Sequence, residues 1–213
     1  RPMPRLRLLL PAALALLAAA PALAEDLTVT LADGTTRRYQ NVAAQLARLR
    51  AATDLASKLE LAKLLAAGIP ASPGNPISKP DLGAANALLD QVIAGPDQSL
   101  RQQALSTRAI ILQRSRIVAD VEKGQSIDAQ LATEGYAPAI ARIVNSGRAL
   151  PADLTADKAQ AALGAAVLTG DSASTFALST LLKTIDPARS ASLASQALVF
   201  LTAEAGSGVS AAS

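Results

Sequence analysis

The 213-residue sequence contains no Cys, no His and no Trp, and aromatic residues make up only 2% of it. Without thiols or imidazoles it can form no disulfide, Cys nucleophile or Ser-His-Asp triad, and it lacks the usual ligands of zinc, haem and iron–sulfur clusters. Its aspartates do not show the spacing of a calcium-binding loop. We therefore expect no cofactor, no metal site and no enzymatic activity.

Residues 1–24 have the pattern of a secretory signal peptide. Arginines within the first seven residues precede the apolar run Leu8–Ala20, and Ala22-Leu23-Ala24 then supplies an A-x-A cleavage site. We predict cleavage after Ala24 and a natural start at Met3. An uncleaved membrane anchor is the alternative, but a helix over 8–24 would reach only about 25 Å, against a hydrocarbon core of about 30 Å.

The apparent basicity of the chain comes from that segment. The full sequence has 20 Lys and Arg against 17 Asp and Glu, and its pI is near 9.5. Removal of residues 1–24 takes away three arginines and no acid, so the remainder is formally neutral. A neutral chain lacks the cations that displace counterions from phosphates, so we expect no nucleic-acid binding. We expect a periplasmic or secreted protein with no stable membrane anchor after signal cleavage.

Residues 25–41 are predicted to form a β-hairpin. Apolar residues and Thr alternate over Leu27–Leu31, Asp33-Gly34 supplies a turn, and Thr35–Tyr39 forms the returning strand. Because two strands alone are marginally stable in water, the hairpin should lie on the first helices or pair with the sheet edge of another chain.

Residues 42–205 are rich in Ala and Leu and are predicted to form a helical domain, followed by a disordered tail over 206–213. A helix is expected from Gln98 to about Val121, with an interruption near Gly124. Aspartates at positions 54, 81, 97 and 171 are expected to cap helices. One further helix is predicted to start at residue 42. The remaining helices are predicted over 54–68, 80–95, 126–133, 137–146, 155–169, 172–184 and 187–204. Three aromatic residues are expected in the core: Tyr136, Phe176 and Phe200.

The helices are expected in pairs that repeat along the chain. Glycines that close successive pairs, at positions 95, 135 and 170, are 40 and 35 residues apart. A polar residue in a first helical turn is also followed by core positions four, seven and eleven residues later. This second recurrence begins at Asp81, Thr155 and Asp186. Helix pairs of this kind cannot bury an apolar face alone, so they stack.

The strongest form of the pattern runs from Ala132-Thr-Glu-Gly135-Tyr-Ala137-Pro-Ala139 through Gly147, Asp153 and Lys158-Ala159 to Gly170-Asp171-Ser-Ala173. It resembles Sel1-like repeats, relatives of tetratricopeptide repeats, and Leu59–Gly68 followed by Asp81 and Ala85 resembles a more diverged copy. The aromatic residue that the family has in the second helix is replaced by Leu88, Ala162 and Leu193. The resemblance implies an all-α fold: a right-handed α-solenoid of about four antiparallel helix pairs after the short hairpin. An irregular α-helical bundle is the alternative.

The resemblance also implies a function. Proteins with such repeats are commonly adaptors, including regulators of envelope signalling and assembly factors for exopolysaccharide export. We therefore expect a non-enzymatic adaptor or regulatory scaffold that binds a protein partner in the cell envelope.

Arginines supply the candidate binding residues, since guanidinium groups can engage the carboxylates of an acidic protein surface. Arg101 and Arg108 are seven residues apart and so share a helix face. The full candidate set is Arg37, Arg38, Tyr39, Arg101, Arg108, Arg114 and Arg116. The alternative is a solvated face that keeps an Ala-rich protein soluble.

Two other functions stay open. An enzyme or binder acting on cell-wall glycan would need facing carboxylates, which predicts a pocket lined by a buried glutamate. A carrier of a small apolar ligand would need an internal void of several hundred cubic ångströms. The adaptor predicts an open binding face.

Overall fold

The computed structural model describes residues 27–31, 35–68 and 79–207. Within these ranges it contains nine α-helices and one two-stranded sheet. The predicted signal peptide, the Asp33-Gly34 turn and residues 208–213 of the predicted tail lie outside the described residues. In the part of the chain that is described, no helix is long and apolar enough to cross a bilayer.

The hairpin lies on the first helices, which is one of the two placements predicted for it. Strand β1 (Leu27–Thr30) pairs antiparallel with β2 (Thr36–Tyr39), and Leu27 is opposite Tyr39. Alternation turns Val29 inward with Tyr39, and both pack with leucines of the first two helices. The hairpin therefore covers part of the first two helices.

The helix bounds follow the predicted ends within a few residues, except in the middle of the chain. They are α1 Val42–Ala51, α2 Leu55–Ala67, α3 Leu82–Ile93, α4 Gln98–Gln113, α5 Val118–Thr133, α6 Ala137–Asn145, α7 Ala156–Val167, α8 Ser172–Leu182 and α9 Pro187–Ser207. Helix α9 thus enters the first two residues of the predicted disordered tail.

Aspartate caps fix several helix starts, and the structure confirms the four that were predicted. The carboxylates of Asp54, Asp81, Asp97 and Asp171 each accept a hydrogen bond from the backbone N–H three residues later, at 2.8 to 3.0 Å. Such a bond satisfies a donor that has no partner within the helix.

The prediction of a helix to Val121 with an interruption near Gly124 is wrong. The chain turns at 114–117, and Gly124 lies inside α5. A Cβ atom at Gly124 would lie 2.7 Å from the carbonyl oxygen of Ala109, so glycine here permits the close packing of α4 on α5. Ser115 shapes the turn, because its Oγ accepts from the N–H of Ile117 and donates to Asp120.

Each helix packs on the next one along the chain, and α2 also packs on α4 and α6 on α8. The predicted recurrence places fully buried small residues at Ala85 and Ala159, four residues after their helix caps. Gly135 and Gly170 have positive φ angles at helix ends, whereas Gly95 instead lies close to the side chain of Leu55.

The aromatic residues are less buried than predicted. Phe176 is exposed, and Tyr136 and Phe200 are only partly buried. The helical periodicity puts Phe176 on an apolar face of α8, but within the described residues no element covers that face.

Candidate protein-binding surfaces

The two predicted arginines on the hairpin precede a tyrosine that belongs to the core. Arg37 lies 3.5 Å from Glu60, and Arg38 is exposed on the same strand. Tyr39 is buried, and its hydroxyl donates to Glu60 at 3.1 Å. Tyr39 therefore has little surface to offer a partner.

Arg101 and Arg108 do not form an open patch. The guanidinium of Arg108 lies 2.6 Å from the carboxylate of Asp90 and donates to the backbone carbonyl of Asn86 at 3.3 Å. These bonds hold α4 against α3. Arg101 is partly buried on α4, so the shared face that the spacing predicted lies largely within the contact between two helices.

Arg114 and Arg116 are exposed on the turn between α4 and α5. Ile117 and Val118 follow them and are also exposed, although both are large and apolar. Basic and apolar groups therefore lie side by side on one short segment, which the sequence pattern of the arginines alone did not indicate.

A cleft of about 450 Å³ opens beside this turn, and we name it the Arg114 cleft. Its apolar lining comes from three helices: Ala66 of α2, Leu82 of α3, and Ile111 and Leu112 of α4. Asn86, Arg114, Ser115 and Asp120 supply polar groups. The cleft therefore offers a mainly apolar wall with a guanidinium at its margin.

A second opening of about 400 Å³ lies between the last two helices, and we name it the α8–α9 groove. Phe176 on α8 and Leu198 and Leu201 on α9 line it, and they remain 52%, 66% and 45% exposed. Small side chains lie between them: Ala173, Ala194 and Ala197. Apart from Asn145 and Ser172, the lining of the groove is apolar.

Polar groups border the α8–α9 groove at one end. The carboxylate of Glu204 accepts from the hydroxyl of Ser172 at 2.9 Å, and the side-chain N–H of Asn145 donates to the carbonyl of Ala173 at 3.3 Å. The side-chain oxygen of Asn145 is buried and has no hydrogen-bond donor among the described residues.

A buried charge cluster that the sequence analysis did not predict joins α4, α5, α6 and the segment after α6. Asp128 is fully buried, and its carboxylate lies 2.5 Å from the guanidinium of Arg142 and 3.3 Å from that of Arg148. Gln113 donates to it at 2.8 Å. These contacts hold α5 against α4 and α6. Its one sequence signal is that Asp128 shares a helix face with the core residues Leu131 and Ala132.

The features that the other two functions require are not found at these openings. Neither the Arg114 cleft nor the α8–α9 groove has a glutamate in its lining, and both are open to solvent. Over the described ranges, no group of three or more acidic side chains is placed to hold a metal ion.

Comparison with protein-family models, with curated proteins and with solved structures gives no match to this chain.

Proposed function

We propose that the protein is a non-enzymatic adaptor that binds an acidic, partly apolar segment of a protein partner at the Arg114 cleft. The observation that carries this proposal is the cleft itself, in which an apolar wall meets an exposed arginine. The partner's apolar side chains would enter the cleft, and its carboxylates would bind Arg114 and Arg116.

A helical-repeat scaffold would present such a surface. We propose that α2–α3, α4–α5, α6–α7 and α8–α9 are four stacked pairs of a Sel1-like solenoid. The packing of each helix on the next supports this arrangement, as do the α2–α4 and α6–α8 contacts. The small buried residues that recur after the helix caps support it as well.

The charges around the cleft favour an acidic partner. The cleft lining contains Arg114 and one acid, Asp120, whose carboxylate already accepts from Ser115 at 2.7 Å, and Arg116 is exposed on the same turn. The exposed Ile117 and Val118 add apolar surface beside these cations. A guanidinium next to apolar surface favours a segment with carboxylates beside apolar residues.

The predicted signal peptide supports a place of action for the protein. With a signal peptide over 1–24, the protein would act in the periplasm or outside the cell, with a partner in the cell envelope. Envelope signalling and exopolysaccharide assembly are the processes that the resemblance to Sel1-like proteins favours.

The test is site-specific photo-cross-linking in the native envelope. A photoreactive residue replaces Leu82 in the cleft, and in a second version it replaces Leu168, which follows the last residue of α7, is 89% exposed and lies outside the cleft. We expect the Leu82 probe to capture one acidic protein repeatedly and the Leu168 probe not to capture it.

Charge reversal completes the test. Arg114→Glu with Arg116→Glu should abolish the cross-link at Leu82, whereas Lys183→Glu with Arg189→Glu, an equal charge change at two exposed residues outside the cleft, should leave it unchanged. Capture that survives the double reversal, or no capture at Leu82 in the unmodified protein, would contradict the proposal.

A further inference from the structure

We infer that Gln113 and Asp128 are positioning residues for the Arg114 cleft: the hydrogen bond between them anchors the last turn of α4 from behind and so sets where Arg114 lies. That Arg114 meets a partner rests on the proposed function, whereas the anchoring is a property of the protein alone.

Gln113 is the last residue of α4 and lies on the side of the helix away from the cleft. Its neighbours Ile111, Leu112 and Arg114 line the cleft. At about 100° of rotation per residue, position 113 falls opposite those three. Its side-chain N–H donates to the carboxylate of Asp128 on α5 at 2.8 Å. The cleft wall and its anchor are therefore two sides of one helical turn.

Asp128 is a firm anchor because several donors set its own position. The side chain is fully buried, and Arg142 of α6 and Arg148 after α6 both donate to its carboxylate. A buried carboxylate that moved away from these donors would lose the bonds that offset its desolvation. Gln113 therefore ties the end of α4 to a group that α6 also holds.

The turn that carries Arg114 depends on contacts of this kind. Residues 114–117 contain neither Gly nor Pro, so the turn has no strong backbone preference of its own. The bond from Ser115 to Asp120 joins the turn to the first turn of α5 and shapes it locally. The bond from Gln113 to Asp128 joins the two helices about two turns further along α5.

Close packing at Gly124 brings the same helices together but leaves them free to slide. A Cβ atom at Gly124 would lie 2.9 Å from Cγ of Gln113, so the two residues are in direct contact across the helix pair. Packing contacts have no preferred direction, whereas a hydrogen bond fixes both distance and angle. The bond at Gln113 is thus the contact that fixes the register of α4 on α5 beside the cleft.

Gln113→Met tests the inference, because it removes the donor but keeps an unbranched side chain of similar length. Asp128 keeps both arginines in this variant, so the buried charge stays paired. Gln102→Met is the matched control. Gln102 lies near the start of α4, and its side-chain N–H donates to the carboxylate of Glu134 at the far end of the same helix pair, at 3.2 Å.

Distances between two spin labels measure the position of the turn. Because the sequence has no Cys, residues Leu82 and Ile117, which are both exposed, can be replaced by Cys and labelled without background. Gln113→Met should shift or broaden the distance distribution by on the order of 2 Å, as expected for a small helix displacement. Gln102→Met should leave it unchanged.

Amide hydrogen exchange separates a local change from general destabilisation. The N–H groups of Arg114 and Ser115 close α4 by donating to the carbonyls of Ile110 and Leu112. Their exchange should be about tenfold faster in Gln113→Met, while exchange in the first turns of α4 stays unchanged. The inference is overturned by an unchanged distance, by equal changes in the two variants, or by exchange that rises uniformly along α4.

Photo-cross-linking at Leu82 connects the anchor to binding. Capture of the partner should fall about threefold or more in Gln113→Met and stay unchanged in Gln102→Met. Undiminished capture despite a changed distance would overturn the positioning role. No capture by the unmodified protein would contradict the proposed function, and the distance measurement, which needs no partner, would still decide whether Gln113 anchors the turn.

Discussion

The N-terminal and C-terminal halves of the molecule differ in the kind of contact that stabilises the interior of each half. Up to Gln113 the interior is mainly apolar, with fully buried leucines such as Leu49 and Leu89, and its buried polar side chains are two hydroxyls of α4, Ser106 and Thr107. From Val118 onward it includes buried Asp128 and several buried hydroxyls, among them the Ser179 and Ser190 pair, whose hydroxyls each donate to the other's backbone carbonyl at 2.9 Å.

The two halves differ in how strictly their contacts fix the packing geometry, more than in the amount of burial. Apolar contacts have no preferred direction and tolerate small shifts, whereas a buried carboxylate must keep its partners in place. The C-terminal half should therefore be more sensitive to loss of one polar group, and the N-terminal half to changes in volume.

The largest expected effect comes from removing the buried carboxylate. Asp128→Ala should lower the free energy of unfolding by about 3 kcal/mol, because it leaves two partly buried guanidiniums without their acid. This lies at the lower end of the usual range, since Arg142 and Arg148 keep 17% and 26% of their side chains exposed. Urea denaturation measures it.

Asp90→Ala provides the matched control in the N-terminal half. Asp90 pairs with Arg108 but is 70% exposed, so its loss should cost less than about 1 kcal/mol. Equal costs for the two aspartates would show that the buried cluster is no more important than a surface ion pair, and the comparison of the halves would fail.

Substitution of alanine for two glycines inside helices should change the stability of the protein in opposite directions. Gly124→Ala should destabilise the protein by about 1–3 kcal/mol, because the new methyl group would meet the Ala109 carbonyl where the halves join. Gly164→Ala in α7 should stabilise it by about 0.5–1 kcal/mol, since nothing lies within 4 Å of the added Cβ. Thermal unfolding of both variants measures the difference, and a destabilised Gly164→Ala would contradict the second expectation.

The smallest effect concerns a polar contact at the surface of the N-terminal half. The backbone N–H of Ser57 donates to Asp54 and lowers the pKa of that carboxyl below its ordinary value of 3.8. The carboxylate therefore contributes its full stabilisation above that ordinary value and loses it as the pH falls through the lowered pKa.

Asp54→Asn keeps a capping group without the charge and isolates this contribution. The stability difference between the unmodified protein and the variant should shrink as the pH falls from about 5 to about 2. NMR titration of the Asp54 carboxyl measures the pKa directly, and a midpoint above 3.8 would contradict the assignment.

Local chemistry made most helix ends predictable. Asp54, Asp81, Asp97 and Asp171 cap helices because a short carboxylate reaches the free N–H groups of the first turn, and this depends on neighbours in the sequence alone. The alternation in Leu27–Leu31 likewise fixed a strand with one buried face.

The remaining features depend on what packs across a face. Gly124 is compatible with a break or with a close helix contact, and only the position of Ala109 decides between them. The turn at 114–117 contains neither Gly nor Pro, so the sequence lacks the usual signal for it. Phe176 has the periodicity of a core residue, yet periodicity cannot tell whether a neighbour exists to cover it.

The hairpin and helix α9 also differ in how readily the chain could be lengthened beside them. A helix pair added beyond α9 could pack its apolar face on the exposed Leu198 and Leu201 of that helix without displacing any element that the structure describes. The same addition before Val42 would first have to remove the hairpin and the core that it covers. Gene duplication or design should therefore extend this architecture more easily at its carboxyl end.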